Sequence, residues 1–234
     1  MNKIKQSVKS YLNTSVLPRF GFLVVNRFSE MLNDYTGKKF SYFHRIYSHI
    51  SEIGGDIVEC GVGCGQTLLI LSIIAKNDEK HKRNIWGFDS FEGFPEATEE
   101  DKRKESLKGG NYHPMQTLEE RLKAARIFDA NFTETRIKLI KGFFEDSLVR
   151  YPGNPIAFLH LDVDLYKSYK DCLSQFYPHV VPGGVIAFDE YEGGNDEKSW
   201  PGARKAIDEF FAPNRLKPVI DTISKKAYLI KPKT

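Results

Sequence analysis

The hydrophobic positions of this chain fall into two kinds of run. Ile57-Val58, Ile156-Ala157-Phe158-Leu159-His160-Leu161 and Val185-Ile186-Ala187-Phe188 are short and almost unbroken, as strands buried on both faces of a sheet read. Between them the apolar positions recur every three or four residues, as in Leu68, Leu69, Leu71, Ile73 and Ile74, which predicts helices. The alternation predicts further strands at Asn84–Phe88 and Arg136–Ile140, and helices at Lys167–Phe176 and Pro201–Phe211. Thr117 is expected to cap a helix running to Phe128, with Glu119 and Glu120 in its first turn. The last stretch, Lys217 to Ile230, reads as a hairpin turning at Ser224-Lys225. Strand and helix in alternation give an α/β domain with a parallel sheet.

Upstream, residues 27–52 carry a helical pattern that Gly54-Gly55 breaks, and residues 1–20 are basic and loosely amphipathic. Two regions are therefore expected: a helical extension over 1–52, packing on a partner subunit or covering a site, and an α/β domain over 53–234. Residues 95–116, charged and bounded by Pro95 and Pro114, read as a loop or cover.

The first strand ends at Glu59 and runs straight into Gly61-Val62-Gly63-Cys64-Gly65 before a helix. Strand, glycine turn and helix build nucleotide sites in α/β sheets. A dinucleotide fingerprint needs its third glycine at the sixth position, where this chain has Gln66. Glycine at alternate positions, with an acid two residues before the first, suits S-adenosylmethionine, which has no phosphate to cradle. An ordinary tight turn would give the same letters. Asp89, at the end of the second strand, stands where a ribose diol is gripped by a carboxylate. Lys141-Gly142-Phe143, at the end of the third strand, can flank an adenine.

The fourth and fifth strands end in acids: Asp162 and Asp164, then Asp189 and Glu190. Ligands of open α/β sheets bind beyond these carboxyl ends. Carboxylates crowded there repel one another unless a cation or protons compensate them, and a hard divalent ion, Mg²⁺ above all, is the economical answer. Asp164 is equally suited to cap the following helix, and His160 is read as a core or rim histidine. A cation can orient and acidify an acceptor hydroxyl, Asp162 can take its proton, and the activated sulfonium methyl needs chiefly to be aligned. That chemistry is methyl transfer to oxygen.

Composition narrows the classes. With 234 residues, 28% charged and 41% hydrophobic, the chain is an ordinary globular protein. A net charge of +3 with scattered basic residues argues against nucleic acid as the partner. No run approaches a membrane span, and no signal-peptide pattern is expected in the first segment. The three cysteines, Cys60, Cys64 and Cys172, make no disulfide framework, and no second Cys/His pair completes a zinc site. A reduced, cytoplasmic setting is expected.

Val58-Glu59-Cys60-Gly61-Val62, Phe88-Asp89-Ser90-Phe91-Glu92-Gly93-Phe94-Pro95, Leu161-Asp162-Val163-Asp164-Leu165-Tyr166, Pro182-Gly183-Gly184 and Asp189-Glu190-Tyr191 occur in one order. The set resembles the macrocin O-methyltransferase family over about residues 45–212. The resemblance implies a class I methyltransferase fold, Rossmann-like, with a seven-stranded, mostly parallel sheet whose last strand is reversed. It implies adenosylmethionine contacts at Glu59, Gly61, Gly63, Asp89, Ser90, Phe143 and Asp162. It implies Mg²⁺ at Asp162, Asp189 and Glu190, with Asp162 as base, and a homo-oligomer, a dimer favoured. The acceptor it suggests is a sugar hydroxyl of a glycoside, glycolipid or polysaccharide precursor, with a phenolic hydroxyl open. Two departures stand out: the glycine turn lacks the family's bulky basic segment, and the acid pair is Asp-Glu where Asp-Asp is commoner. The alternatives are a glycosyltransferase holding a metal–nucleotide-sugar on Asp162-x-Asp164, and a non-catalytic partner subunit of the same fold.

Overall fold

The computed structural model describes residues 34–101, 108–111, 113–115, 118, 130–191 and 200–233. The basic segment 1–20, the helix expected over Thr117–Phe128 apart from Leu118, the loop after Gly193, and positions 102–107, 112 and 116 lie outside these residues. Two units are distinguished, 1–42 and 43–234, and every strand belongs to the second.

Among the described residues the helices are α1 (Asp34–Tyr47), α2 (Gln66–Lys76), α3 (Ala130–Arg136), α4 (Phe144–Ser147), α5 (Tyr166–Phe176) and α6 (Pro201–Phe211). The strands are β1 (Asp56–Cys60), β2 (Ile85–Asp89), β3 (Ile137–Lys141), β4 (Ile156–Leu161), β5 (Val180–Phe188), β6 (Val219–Ile220) and β7 (Ala227–Ile230). They form one seven-stranded sheet in the order β3-β2-β1-β4-β5-β7-β6. The first five are parallel, and β7 runs antiparallel between β5 and β6. This is the expected sheet with its reversed last strand. Every residue of β1 and β4 is buried; β4 accordingly reads as an apolar run broken only by His160, whereas β1 buries two acids, Asp56 and Glu59, beside its apolar pair.

The fifth strand is longer than its apolar letters suggest. It begins at Val180 and passes through Pro182-Gly183-Gly184, which the sequence presents as a break. Pairing with β4 shifts register between Ile156 and Phe158, and the exposed Pro182 sits in that irregular stretch. Proline's missing N–H costs nothing where the ladder is already interrupted. The Gly183 amide instead donates to the Lys231 carbonyl at 2.7 Å.

One core cluster lies on the face of the sheet covered by α5 and α6. Leu159, Leu161, Ile186 and Phe188 meet Tyr169, Leu173, Phe176, Ile207 and Phe211 there, all fully buried. Near the start of β1, the buried Arg83 guanidinium donates to the Tyr47 hydroxyl (2.7 Å), Asp78 (3.1 Å) and the carbonyls of Ile50, Ile53 and Gly55 (2.9, 2.7 and 2.9 Å). Its planar fork satisfies several acceptors at once, as a lysine would not. No described helix is long and apolar enough to cross a membrane.

Successive strands leave β1 toward β2 on one side and toward β4 on the other. The chain reverses its winding between β1 and β4, and the crevice beyond their carboxyl ends is where such sheets hold ligands.

Candidate active site

The glycine turn sits in that crevice. Gly61, Gly63 and Gly65 all have positive φ, at 82°, 51° and 83°. Gly61 has a further constraint: a Cβ there would lie 1.7 Å from the carbonyl oxygen of Asp162. Only glycine lets the end of β1 cross this close to the end of β4. The crossing is tied by the Asp162 amide donating to Cys60 O (3.0 Å) and the Gly61 amide donating to Phe88 O (2.8 Å). At Gly65 a Cβ would meet the Leu118 side chain, whereas at Gly63 its nearest neighbour is His113, 3.7 Å away.

Asp89 ends β2 and is fastened to the glycine turn. Its Oδ2 accepts the Gly63 amide at 2.8 Å, and its Oδ1 accepts the Phe91 amide at 2.6 Å. Each oxygen keeps a further lone pair for a hydroxyl donor. Ser90 builds the same turn, donating to Gly93 O (2.8 Å) and accepting the Glu92 amide (3.1 Å). Asp89 pairs in register with Lys141 of β3, and the Gly142 amide donates to Asp89 O. Phe143 therefore follows directly beside the Asp89 turn, half-buried, at the start of α4.

Glu59 is in a drier place. It is 1% exposed, and its Oε1 lies 3.2 Å from Nδ1 of His160, its register partner on β4. The Phe43 ring meets the His160 imidazole edge-on, with centroids 5.0 Å apart.

The strand-end acids form the second part. Leu161 and Phe188 are register partners, so Asp162 and Asp189 leave the sheet side by side, and the Asp189 amide donates to Leu161 O at 2.9 Å. His160, Asp162 and Asp189 each present one ligating atom, and these three atoms lie within 4.8 Å of one another. The two carboxylates are hard oxygen donors of the kind Mg²⁺ takes, whereas the His160 imidazole is a nitrogen donor of the kind transition-metal ions take. Glu190 turns inward instead. It is 4% exposed, and its Oε2 accepts the Tyr169 hydroxyl (2.7 Å) and the Asp164 amide (3.2 Å). Burial pushes its carboxyl well above the usual carboxylate range, and the charges of Asp162, Asp189 and Asp164 push the same way against the Tyr169 hydrogen bond. Asp164 itself has φ 58°, a left-handed conformation that aspartate tolerates.

The sequence profile of the macrocin-O-methyltransferase (TylF) family matches residues 37–231. The chain belongs to this family. Over 165 residues it is 30% identical to the demethyldecarbamoylnovobiocin O-methyltransferase of Streptomyces niveus, covering 69% of this chain and 60% of that protein. Over 163 residues it is 27% identical to the mycinamicin III 3''-O-methyltransferase of Micromonospora griseorubida, covering 68% and 61%. The matches thus span about 60% of the length of these curated relatives. Among solved structures, a calicheamicin methyltransferase superposes with a TM-score of 0.75 at 24% identity, covering 98% of this chain and 91% of that one. The likeness to this solved structure shows that the fold is shared.

Two residues of this family member's site were not legible in sequence. Asp101, 2% exposed, caps α5 from a distance, accepting the Tyr166 amide at 2.8 Å and the Thr98 amide at 2.9 Å. The task open to Asp164, capping the next helix, thus falls to Asp101. The signal was the Thr98-x-x-Asp101 capping spacing, hidden in a charged run. Lys226, in the turn between β6 and β7, donates to Asp189 Oδ2 (2.9 Å) and to the Asp189 carbonyl (2.8 Å). Only the sheet order, which brings β7 beside β5, reveals it.

Proposed function

We propose that this chain is an O-methyltransferase that moves the methyl group of S-adenosylmethionine to a hydroxyl of a sugar, in a glycoside, glycolipid or polysaccharide precursor. The observation that carries the reading is that one glycine turn touches both sets of strand-end acids: its Gly63 amide anchors Asp89, and its Gly61 crosses against Asp162, whose carboxylate converges with that of Asp189. Membership of the macrocin O-methyltransferase family, and the rhamnosyl acceptor in the name of a further curated relative, a tetracenomycin-C 4'-O-methyltransferase of Streptomyces olivaceus, support it.

In this reading Asp89 accepts the ribose hydroxyls on its remaining lone pairs, while Gly61 and Gly63 let the ligand approach the backbone. Ser90 shapes the Asp89 turn, and Phe143 closes on the adenine. Glu59, held by His160, forms the buried floor behind the glycine turn. Asp162 and Asp189, with Glu190 behind them, hold Mg²⁺. A bound Mg²⁺ supplies a Lewis acid that orients the acceptor and makes its hydroxyl more acidic. Asp162 would take the hydroxyl proton on its carboxylate while the methyl–oxygen bond formed and the methyl–sulfur bond broke in line, leaving S-adenosylhomocysteine. The extension over 1–52 serves a homodimer or covers the site, and the setting is cytoplasmic.

Calorimetric titration with S-adenosylhomocysteine, with and without Mg²⁺, tests the cofactor half. Micromolar binding that Asp89→Ala weakens at least tenfold is expected, followed by methyl transfer to sugar glycosides that stops with a chelator and with Asp162→Ala. No binding in either condition overturns the reading. Robust transfer in the presence of chelator overturns the metal's part alone.

A further inference from the structure

Lys226 is aimed at the acids by a turn built for rigidity. The Asp221 carboxylate accepts the amide and hydroxyl of Ser224 (2.6 and 2.7 Å), and the Ser224 hydroxyl oxygen accepts the Lys226 amide (3.2 Å). Backbone bonds close the turn in both directions between Asp221 and Lys225 or Lys226, at 2.9 Å each. Arg45, near the end of α1, clamps the same Asp221 carboxylate at 2.7 Å. Phe188 of β5 pairs with Ala227 of β7, so the next step of that antiparallel register sets Lys226 opposite Asp189. The ammonium then reaches both the carboxylate and the carbonyl of Asp189.

Asp189 is one of the three groups whose ligating atoms converge within 4.8 Å, with Asp164 and Glu190 close behind. A fixed positive charge on one of these carboxylates and a divalent ion on the same cluster repel each other. They also contend for one set of oxygen lone pairs. We propose that Lys226 is a positioning residue of the site that competes with the divalent cation for Asp189, so that metal binding displaces the ammonium and the turn sets how tightly metal is held. This rests on the metal-dependent reading above. Lys226 works through Asp189 and touches no reacting atom.

The test uses the full chain and Mn²⁺, followed by electron paramagnetic resonance of the free ion, on the wild type, Lys226→Gln and Lys226→Arg. Removing a unit charge that repels a dication from about 6 Å, screened as in water, is worth about tenfold in affinity. Lys226→Gln is therefore expected to bind Mn²⁺ about tenfold more tightly. Lys226→Arg, which keeps the charge, stays near the wild type. Unchanged or weaker binding by Lys226→Gln, with the wild type binding normally, overturns the competition and leaves the metal reading standing. No binding by any variant removes both. Amine acetylation of the wild type, read by mass spectrometry, needs no variant to fold. Mg²⁺ is expected to raise labelling of Lys226 relative to the other lysines, and unchanged labelling overturns the displacement.

Discussion

The letters of the glycine turn make Gly61 and Gly63 look equivalent, but alanine should affect them very differently. Both have positive φ, so alanine at either costs about 1–2 kcal/mol of left-handed strain. At Gly63 the added methyl finds, among the described residues, only the edge of His113 at 3.7 Å, an ordinary contact. At Gly61 it must move from 1.7 Å to at least 3.0 Å from the Asp162 carbonyl, backbone against backbone. That parting strains or breaks the Asp162–Cys60 and Gly61–Phe88 hydrogen bonds, each worth about 0.5–1.5 kcal/mol net. The total for Gly61→Ala is about 3 kcal/mol, against about 1 kcal/mol for Gly63→Ala. In a domain of this size each kcal/mol lowers Tm by roughly 2–4 °C. Calorimetric melting should then show a fall of about 2–4 °C for Gly63→Ala and at least about 6 °C for Gly61→Ala. Transfer activity follows the same order, because a displacement of about 1 Å at Asp162 costs on the order of 100-fold in rate. Melting within a degree of each other would refute the argument that Gly61 exists for the β1–β4 crossing. If Gly63→Ala melts near the wild type yet binds S-adenosylhomocysteine poorly, Gly63 is a point of ligand approach.

Arg83→Met should cost about 3–5 kcal/mol in urea denaturation, because it removes the cation beside Asp78 and takes from the Ile53 and Gly55 carbonyls the donor that the guanidinium supplies. A loss under about 1 kcal/mol would mean that water replaces the fork. The acid limb of stability should depend on Asp221. Burial opposes its ionisation, but the Ser224 hydroxyl and amide and the Arg45 guanidinium outweigh burial and hold its carboxyl below the usual range. A depressed folded-state pKa contributes stability that is present above the unfolded value near 3.9 and is lost as pH falls through the folded value. Asp221→Asn should accordingly flatten the loss of Tm below about pH 4, and an acid limb parallel to the wild type would refute the assignment.

Much of the fold was legible because a parallel sheet writes itself plainly. β4 and α6 have the bounds their apolar pattern gives, since two-sided burial leaves no polar position within the strand except His160, and His160 is spoken for by Glu59. The Pro-Gly-Gly stretch misled because a register shift lets a strand continue through residues that ordinarily end one. Asp89, Asp162 and Asp189 were legible as strand-end acids. Arg83, Asp101 and Lys226 were not, since each draws its meaning from partners distant in sequence: Arg83 from Tyr47 and the 50–55 carbonyls, Asp101 from Tyr166, Lys226 from Asp189. Their letters are ordinary, and the chain's path makes them matter.

The acid pair Asp189-Glu190 shows how much a strand's period of two decides once chemistry has been assigned. Register sets Asp162 beside Asp189, continuing the Leu161–Phe188 pair, so these two share one side. Glu190 continues the side of Phe188, the face packed under α5, and there it meets Tyr169. The extra methylene that distinguishes glutamate from aspartate lets its Oε2 reach both the Tyr169 hydroxyl and the amide of Asp164. For Glu190 to join Asp162 and Asp189 around one ion, that oxygen would have to give up both donors, or the second oxygen would have to turn outward past them. Tyr169→Phe removes the stronger of the two ties without touching a carboxylate. The buried Tyr169–Glu190 pair is therefore the place where this chain's departure from the commoner Asp-Asp would be felt, as a change in how far Glu190 can swing and not in the number of acids present.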